Sequence, residues 1–351
     1  MNDIIKQFIE AKRLDTDGYE RLIACYSPEN AAILGEEACK IREEVYGRSV
    51  YIRGLIEISN ICKNDCYYCG IRKSNRECER YRLSEEEILS CCENGYKLGF
   101  RTFVLQGGED GHFTIPLLTS LIKNIKSLYP ECAVTLSLGE KTKDEYQALF
   151  DAGADRYLLR HETADDNHYS FLHPSSLTLA NRKKCLYDLK SIGFQTGCGF
   201  MTGSPGQTVS TLAKDLKFIE EFNPEMCGIG PFIPHKDTPF GKEKAGSVDF
   251  TCYLLSVIRI MHPHILLPAT TALGTLEKNG REKGILAGAN VIMPNLSPEE
   301  AKSRYMLYNN KLSTGAESAE MIELLKKQIK NIGYEIVCHR GDAERKYYGS
   351  L

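Results

Sequence analysis

Leu55-Ile56-Glu57-Ile58-Ser59-Asn60-Ile61-Cys62-Lys63-Asn64-Asp65-Cys66-Tyr67-Tyr68-Cys69-Gly70 is a β-rich run that ends in three cysteines within eight residues. The spacing is Cys-x3-Cys-x2-Cys, with Tyr68 directly before the last thiol. Iron–sulfur clusters are held by Cys thiolates, and a cubane has four irons, so three ligands with no evident fourth leave one iron open. An open coordination position marks a working metal site, as it does for catalytic zinc. Blander readings exist. Cys66 and Cys69 alone could be half a structural zinc site or a thioredoxin-like redox pair. A structural zinc needs four ligands, but no second Cys/His pair follows at finger-like spacing, and the next cysteine, Cys78, stands alone. A redox pair leaves Cys62 unexplained. The cluster is the preferred reading, with zinc as the alternative.

Outward from this run the chain alternates. β-rich stretches occur at 50–59, 102–106, 133–138, 156–160, 194–200, 226–230, 265–270 and 290–293. Amphipathic stretches at 84–98, 115–128, 143–152, 179–192, 209–222 and 247–261 lie between them. Ser84 with Glu87 reads as a capping box, and Gly99, Gly153 and Gly193 close helical runs. Such alternation implies parallel strands with helical crossovers. Eight strands imply an α/β fold of the complete (β/α)8 TIM-type barrel, with its site at the C-terminal strand ends. An open parallel sheet is the runner-up. The expected organisation is a helical extension over 1–48, the barrel over 49–300 and a helical, irregular cap over 301–351.

Composition bounds the function. The 351 residues carry 42% hydrophobic and 26% charged side chains, which suits a soluble globular protein. A net charge of −3 argues against nucleic-acid binding, which runs on excess Lys and Arg. No apolar run approaches the ~18 residues of a membrane span. Fourteen cysteines in a long chain without a signal-peptide pattern read as reduced thiols and a cytoplasmic setting rather than a disulfide scaffold.

The barrel reading requires polar residues just past each β-rich run. Gln106-Gly107-Gly108-Glu109-Asp110 follows the second, and its paired glycines suit either a tight turn or close approach of a ligand to the backbone. Thr135, Ser137, Gly139 and Glu140 accompany the third. Arg160, His161, Glu162 and Thr163 end the fourth, as a functional cluster or a rim salt bridge, with His161 placed to orient its neighbours. Thr270 and Thr271 end the seventh. Arg182, taken alone, reads as a solvated helical residue.

Together these strings resemble the HydE family, the radical S-adenosylmethionine (radical SAM) maturases of FeFe-hydrogenase. The carrying segments are 56–70, 104–110, 134–140, 153–164, 228–238, 268–275 and 288–295. Gly153-Ala154-Asp155-Arg156-Tyr157-Leu158-Leu159-Arg160-His161-Glu162-Thr163 and Gly228-Ile229-Gly230-Pro231-Phe232-Ile233-Pro234-His235 are the most specific. The resemblance implies a complete barrel in which Cys62, Cys66 and Cys69 ligate one 4Fe–4S cluster. The open iron would chelate SAM, and an electron would break a C–S bond to give a 5′-deoxyadenosyl radical. It further implies that Gly107, Gly108 and Glu109 meet the SAM amino group, that Glu162 and Arg182 hold SAM, and that Tyr68 packs by the adenine. Arg53, Thr135, Arg160, Thr270, Thr271 and Tyr305 would line the substrate end, with Arg160 in a catalytic role. The implied substrate is a small cysteine-bound iron complex carrying CO and cyanide. Implied partners are a reduced ferredoxin or flavodoxin and other hydrogenase maturases. One departure stands out. Many family members carry a second cysteine triplet near the C-terminus, but residues 312–321 have Ser313, Ala316 and Ser318 instead, so one cluster is expected. The rivals are a methylornithine synthase-like mutase, a biotin synthase-like sulfur inserter (with Cys198 and Cys227 as candidate ligands of a second cluster), and a non-enzymatic iron–sulfur electron carrier or scaffold.

Overall fold

The structure, a computed structural model, describes residues 2–312 and 319–343. The substituted triplet positions at 313, 316 and 318 lie outside the described residues. Three helices come first: α1 (Asp3–Ala11), α2 (Thr16–Ala24) and α3 (Pro28–Tyr46). Next come β1 (Ser49–Ile52), β2 (Gly54–Ser59), α4 (Glu85–Lys97), β3 (Thr102–Gly107), α5 (Ile115–Leu128), β4 (Ala133–Ser137), α6 (Lys143–Asp151) and β5 (Arg156–Leu158). Then follow α7 (Asp166–Leu172), α8 (Leu179–Ile192), β6 (Gln195–Cys198), β7 (Met201–Thr202), α9 (Val209–Phe222), β8 (Met226–Cys227), β9 (Gly230–Pro231) and α10 (Val248–Met261). The last elements are α11 (Thr271–Leu276), α12 (Gly280–Leu286), β10 (Val291–Ile292), α13 (Glu299–Arg304), α14 (Ile322–Asn331) and β11 (Glu335–Val337).

Helix boundaries follow the sequence signals. Ser84 accepts from the Glu87 N–H while the Glu87 carboxylate accepts from the Ser84 N–H, completing the capping box. Gly153 and Gly193 adopt φ of 109° and 114°, the left-handed region in which a side chain would be strained. Short helices α7, α11, α12 and α13 had no periodic signal to announce them.

β2, β3, β4, β5, β6 and β8 form one sheet in that order, parallel throughout. The fold is therefore α/β with a parallel sheet, as expected, but not all eight β-rich runs become strands of it. The seventh makes only single bridges, Leu266 to Met226 and Pro268 to Val291. Pro268 has no N–H to donate, and the Leu267 N–H is taken by the Asn290 side chain, so no ladder can extend. The first run is two strands rather than one. It breaks at Arg53, and β1 pairs with β10 and β11 in a separate three-stranded sheet. Asn295 bridges Leu55 of β2.

The pleat sorts the side chains of the main sheet. Ile56, Ile58, Phe103, Leu105, Val134, Leu136, Tyr157 and Leu159 belong to one face and are buried, with α4, α5 and α8 packed against the strands. The opposite face carries Glu57, Gln106, Thr135, Ser137, Arg156 and Gln195 at matched register. Leu55 and Val104 share that face, so it is polar only in part. α2 packs on α9 and α3 on α10, outside the sheet. No helix among the described residues is long and apolar enough to cross a membrane.

The segment expected as a single cap divides between the two ends of the sheet. Residues 304–312 cross the C-terminal side. There the Arg304 carbonyl accepts from Asn60 Nδ2, the Leu307 carbonyl from the Gly70 N–H, and Lys311 Nζ donates to Glu57 Oε1 at 2.7 Å. β11 and the residues after it reach the N-terminal side instead, where Arg156 and Gln195 bond Asp342 at 2.6 and 2.8 Å.

Candidate active site

The cysteine loop runs from the C-terminal end of β2 and has no regular structure of its own. It is fixed by neighbours: the Glu109 N–H points at Cys62 Sγ (3.4 Å), and the Tyr67 N–H donates to the Leu172 carbonyl at the end of α7. Burial pushes the Cys62 thiol up; the Asn64 and Glu109 N–H groups and the Arg80 charge pull the other way. Burial pushes Cys66 up to about 12, against the Arg182 charge and with that of Cys62. Cys69 is raised further, by burial and then by Cys66 and Cys62. Three crowded thiols with raised pKa values hold their protons unless a cationic centre replaces them. Among the described residues no three His, Cys, Asp or Glu side chains gather as ligands of one ion would. A cubane asks for something else, each thiolate on its own iron, and the donor set fits that group.

The glycines beside the loop leave room that a side chain would fill. A Cβ on Gly108 would sit 2.2 Å from the Ile61 carbonyl oxygen and 2.8 Å from the Cys62 Cβ; one on Gly70 would meet the Met306 carbonyl at 2.1 Å. Gly139 has φ of 75°, and a Cβ there would strike the Glu109 side chain at 2.1 Å. That carboxylate accepts from the Glu140 N–H (3.0 Å) and pairs with Lys63 (3.1 Å). Close packing of glycine against Glu109 thus joins the end of β3 to the end of β4 beside Cys62.

Past β5, Glu162 adopts φ of 64°, a strained setting for a residue with a side chain. Its Oε2 lies 2.9 Å from Arg160 Nη2, at an angle that makes no hydrogen bond, and both atoms are buried without a hydrogen-bond partner. Arg182 is buried rather than solvated. Its Nε donates to Glu140 Oε1 and its Nη1 to the Arg160 carbonyl, both at 2.6 Å. Burial opposes its charge, but Tyr169 and Glu140 hold the guanidinium firmly protonated. Tyr68 meets His173 Nε2 at 3.2 Å, and His173 stacks on Tyr169 at 4.0 Å. Tyr305 is buried and accepts from Gln106 Nε2 at 3.4 Å.

The structure brings Cys62, Cys66, Cys69, Tyr68, Gly107, Gly108, Glu109, Arg160, Glu162 and Arg182 to one end of the sheet. Thr135 stands on the polar face, and its Oγ1 is buried with no partner. Thr270 is the N-cap of α11, yet its hydroxyl makes no cap bond and is likewise buried and unpartnered. Arg53 stands apart. It precedes β2 at the opposite, N-terminal end, donates to Met226 Sδ (3.0 Å) and feels the Arg156 charge after its own burial. His161 does not orient Arg160 and Glu162. It turns to the other face, where its Nδ1 accepts from the Gly199 N–H and its Nε2 lies 3.5 Å from buried Asp215. Burial lowers its pKa to about 3, so it is neutral. Cys198 and Cys227 are fully buried register partners on β6 and β8. Sequence reasoning missed His173, for which no signal existed. It noted Glu140 only as a polar strand-end residue.

Buried Thr135 and Thr270 hydroxyls without hydrogen-bond partners, and an Arg160–Glu162 ion pair whose facing atoms are buried, suit a zwitterionic, oxygen-rich ligand such as SAM with a polar substrate.

Residues 56–219 match the radical SAM superfamily. The FeFe hydrogenase maturase subunit HydE of Thermotoga maritima is 43% identical over 296 residues, 84% of each chain. The 3-methylornithine synthase of Methanosarcina acetivorans is 27% identical over 308 residues, 86% of this chain and 85% of its own. Among solved structures, methylornithine synthase (PylB) has a TM-score of 0.82 at 24% identity, covering 95% of this chain and 97% of its own. HydG, a maturase of the FeFe-hydrogenase, has 0.79 at 22%, covering 96% and 75%. Those two likenesses concern the fold alone. An identity of 43% sustained across most of both chains, with the superfamily match spanning the cysteine loop, places this chain in the HydE family of radical SAM enzymes.

Proposed function

We propose that this enzyme acts in assembly of the FeFe-hydrogenase active-site cluster, on a small cysteine-bound iron carbonyl/cyanide complex. The observation that carries the reading is the 43% identity with HydE of Thermotoga maritima. Cys62, Cys66 and Cys69 would hold one 4Fe–4S cluster. Bound there, the cluster and SAM supply an electron and a 5′-deoxyadenosyl radical by reductive C–S cleavage.

The chain's own residues then have distinct tasks. Gly107 and Gly108 let a ligand approach the backbone, and Glu109 takes the SAM amino group. Arg182, held by Glu140 and still charged, receives the SAM carboxylate. Glu162 would help to hold SAM, and Tyr68, fixed by His173, would pack by the adenine. Arg160, Thr135, Thr270, Thr271 and Tyr305 line the substrate end and Arg160 binds its charge. Arg53, at the far end of the polar face, belongs with this set only if the substrate reaches that depth. Enclosure excludes water from a radical that would otherwise attack it. The single bridges at Leu266, Pro268 and Asn295 support a complete (β/α)8 barrel over 49–300, with 1–48 as an extension and 301–351 as a divided cap. A reduced ferredoxin or flavodoxin in the cytoplasm would deliver the electron, and other maturases would take the product.

The test is genetic complementation: the wild-type gene should restore hydrogenase activity in a strain lacking HydE. Failure, with SAM cleavage intact in vitro, would leave a radical SAM paralogue with another substrate.

A further inference from the structure

Arg80 sits in the irregular segment between β2 and α4, and it ties the cysteine loop at both of its ends. Its half-buried guanidinium donates to four main-chain carbonyls. Nη1 reaches Asn60 at 2.6 Å and Ile71 at 2.8 Å; Nη2 reaches Arg72 at 2.6 Å and Asn75 at 3.0 Å. Asn60 lies two residues before Cys62, and Ile71 two residues after Cys69. One side chain therefore joins the entry and the exit of the loop. These carbonyls have no ladder to satisfy them, and the planar fork of arginine matches several acceptors at once. Asn60 adds to the tie: its Nδ2 donates to the Glu79 carbonyl, and its Oδ1 accepts from the Tyr81 N–H.

Three arginines of the surrounding segments are paired with carboxylates, and Arg80 is not. Arg72 is paired with Asp65, Arg82 with Asp110 and Arg304 with Glu79. Among the described residues Arg80 bonds carbonyl oxygens and no carboxylate. Carbonyl dipoles solvate a cation without neutralising it. A full positive charge is therefore held at the base of the loop that carries all three thiols.

We propose that Arg80 is a positioning residue that ties the two limbs of the cysteine loop and, through its uncancelled charge, favours electron uptake at that loop. The inference rests on Cys62, Cys66 and Cys69 as the cluster ligands. One electron, from dithionite in the test, reduces the cluster and adds one negative charge, which a nearby cation stabilises.

Two variants separate charge from geometry. Arg80→Lys keeps the charge and loses the fork; Arg80→Met loses both. Each full-length protein is reconstituted anaerobically, its iron counted, and its cluster potential measured by dithionite titration followed by EPR. Arg80→Met should show a potential shifted to more negative values, and Arg80→Lys one near that of the wild type. A wild-type potential in Arg80→Met, or equal shifts in both variants, would overturn the proposal. If Arg80→Met takes up no iron, Arg80→Lys decides alone: a near-wild-type potential supports the proposal and a negative shift sinks it. Failure of both variants to take up iron would make Arg80 merely structural, which also overturns it. Wild-type protein without a cluster would refute the ligand assignment instead, a separate outcome.

Discussion

Cys66 illustrates how a single residue can be costly until its ligand arrives. Its half-buried thiol lies in one short loop with Cys62 and Cys69, and desolvation raises the pKa of all three. Anaerobic reconstitution should give about four irons per chain, one cubane. Cys66→Ala should abolish iron uptake and SAM cleavage, while a wild-type count near twice that would contradict a single cluster. Arg182 makes a second case. Removing one partner from a desolvated charge pair costs ~2–5 kcal/mol. Arg182→Ala should weaken SAM binding by calorimetry and leave iron content unchanged. Because Arg182 also bonds Glu140, Glu140→Gln is the control: if only Arg182→Ala loses affinity, the guanidinium itself meets SAM, and unchanged affinity in both removes the assignment. Arg160→Ala should keep iron and SAM binding but fail to restore hydrogenase activity; full restoration would show that Arg160 does not serve the substrate.

Elements at this scale are set by local chemistry that is independent of the site. The Ser84–Glu87 capping box starts α4, whose buried Ile88, Cys91 and Cys92 pack against the sheet. Ser84→Ala should lower stability by about 1 kcal/mol in thermal melts and leave iron loading and SAM affinity unchanged. A change in SAM affinity would mean that α4 is coupled to the site. The caps and glycine stops were legible because they depend on neighbours three or four residues away. The split of the first β-rich run at Arg53 and the loss of the seventh were not. They depend on β1 meeting β10 and β11, and on the Asn290 side chain occupying the Leu267 N–H.

The whole molecule is held at its N-terminal strand ends by residues after β11. Arg156, whose side chain has no exposure, is paired with Asp342 at 2.6 Å, and Arg340 with Asp155 at 2.7 Å. Burial raises the Asp342 pKa, but hydrogen bonds from Arg340 and the Arg156 charge outweigh it and set a value of about 2, against 3.8 for a free carboxyl. A lowered folded value means stability that is present above about pH 3.8 and lost as pH falls towards 2. Asp342→Asn should lower the melting temperature at neutral pH and flatten this part of the acid limb in urea titrations. An unchanged limb would assign the acid sensitivity to other carboxylates. Arg156 keeps its bonds to Thr102 Oγ1 and the Arg340 carbonyl, and Asp342 is partly exposed, so solvent screening keeps the loss below that of a fully buried pair.

The sequence by itself determined the parallel α/β alternation, the cysteine loop at a strand end and the polar residues at the other strand ends. Each is a short-range pattern: period two in strands, 3.6 in helices, or fixed spacing within one loop. Only the tertiary structure decided which of those residues share a site. Arg182 lies 42 residues from Glu140 in sequence and is buried against it. His161 adjoins Arg160 and Glu162 yet turns to the other side, where the Gly199 N–H and buried Asp215, both distant in sequence, meet its two ring nitrogens. Arg53 shares the polar face but stands at the wrong end of it. Arg80 gained its role only when the chain folded back to bring four carbonyls around one guanidinium, since hydrogen-bond partners are chosen by proximity in space.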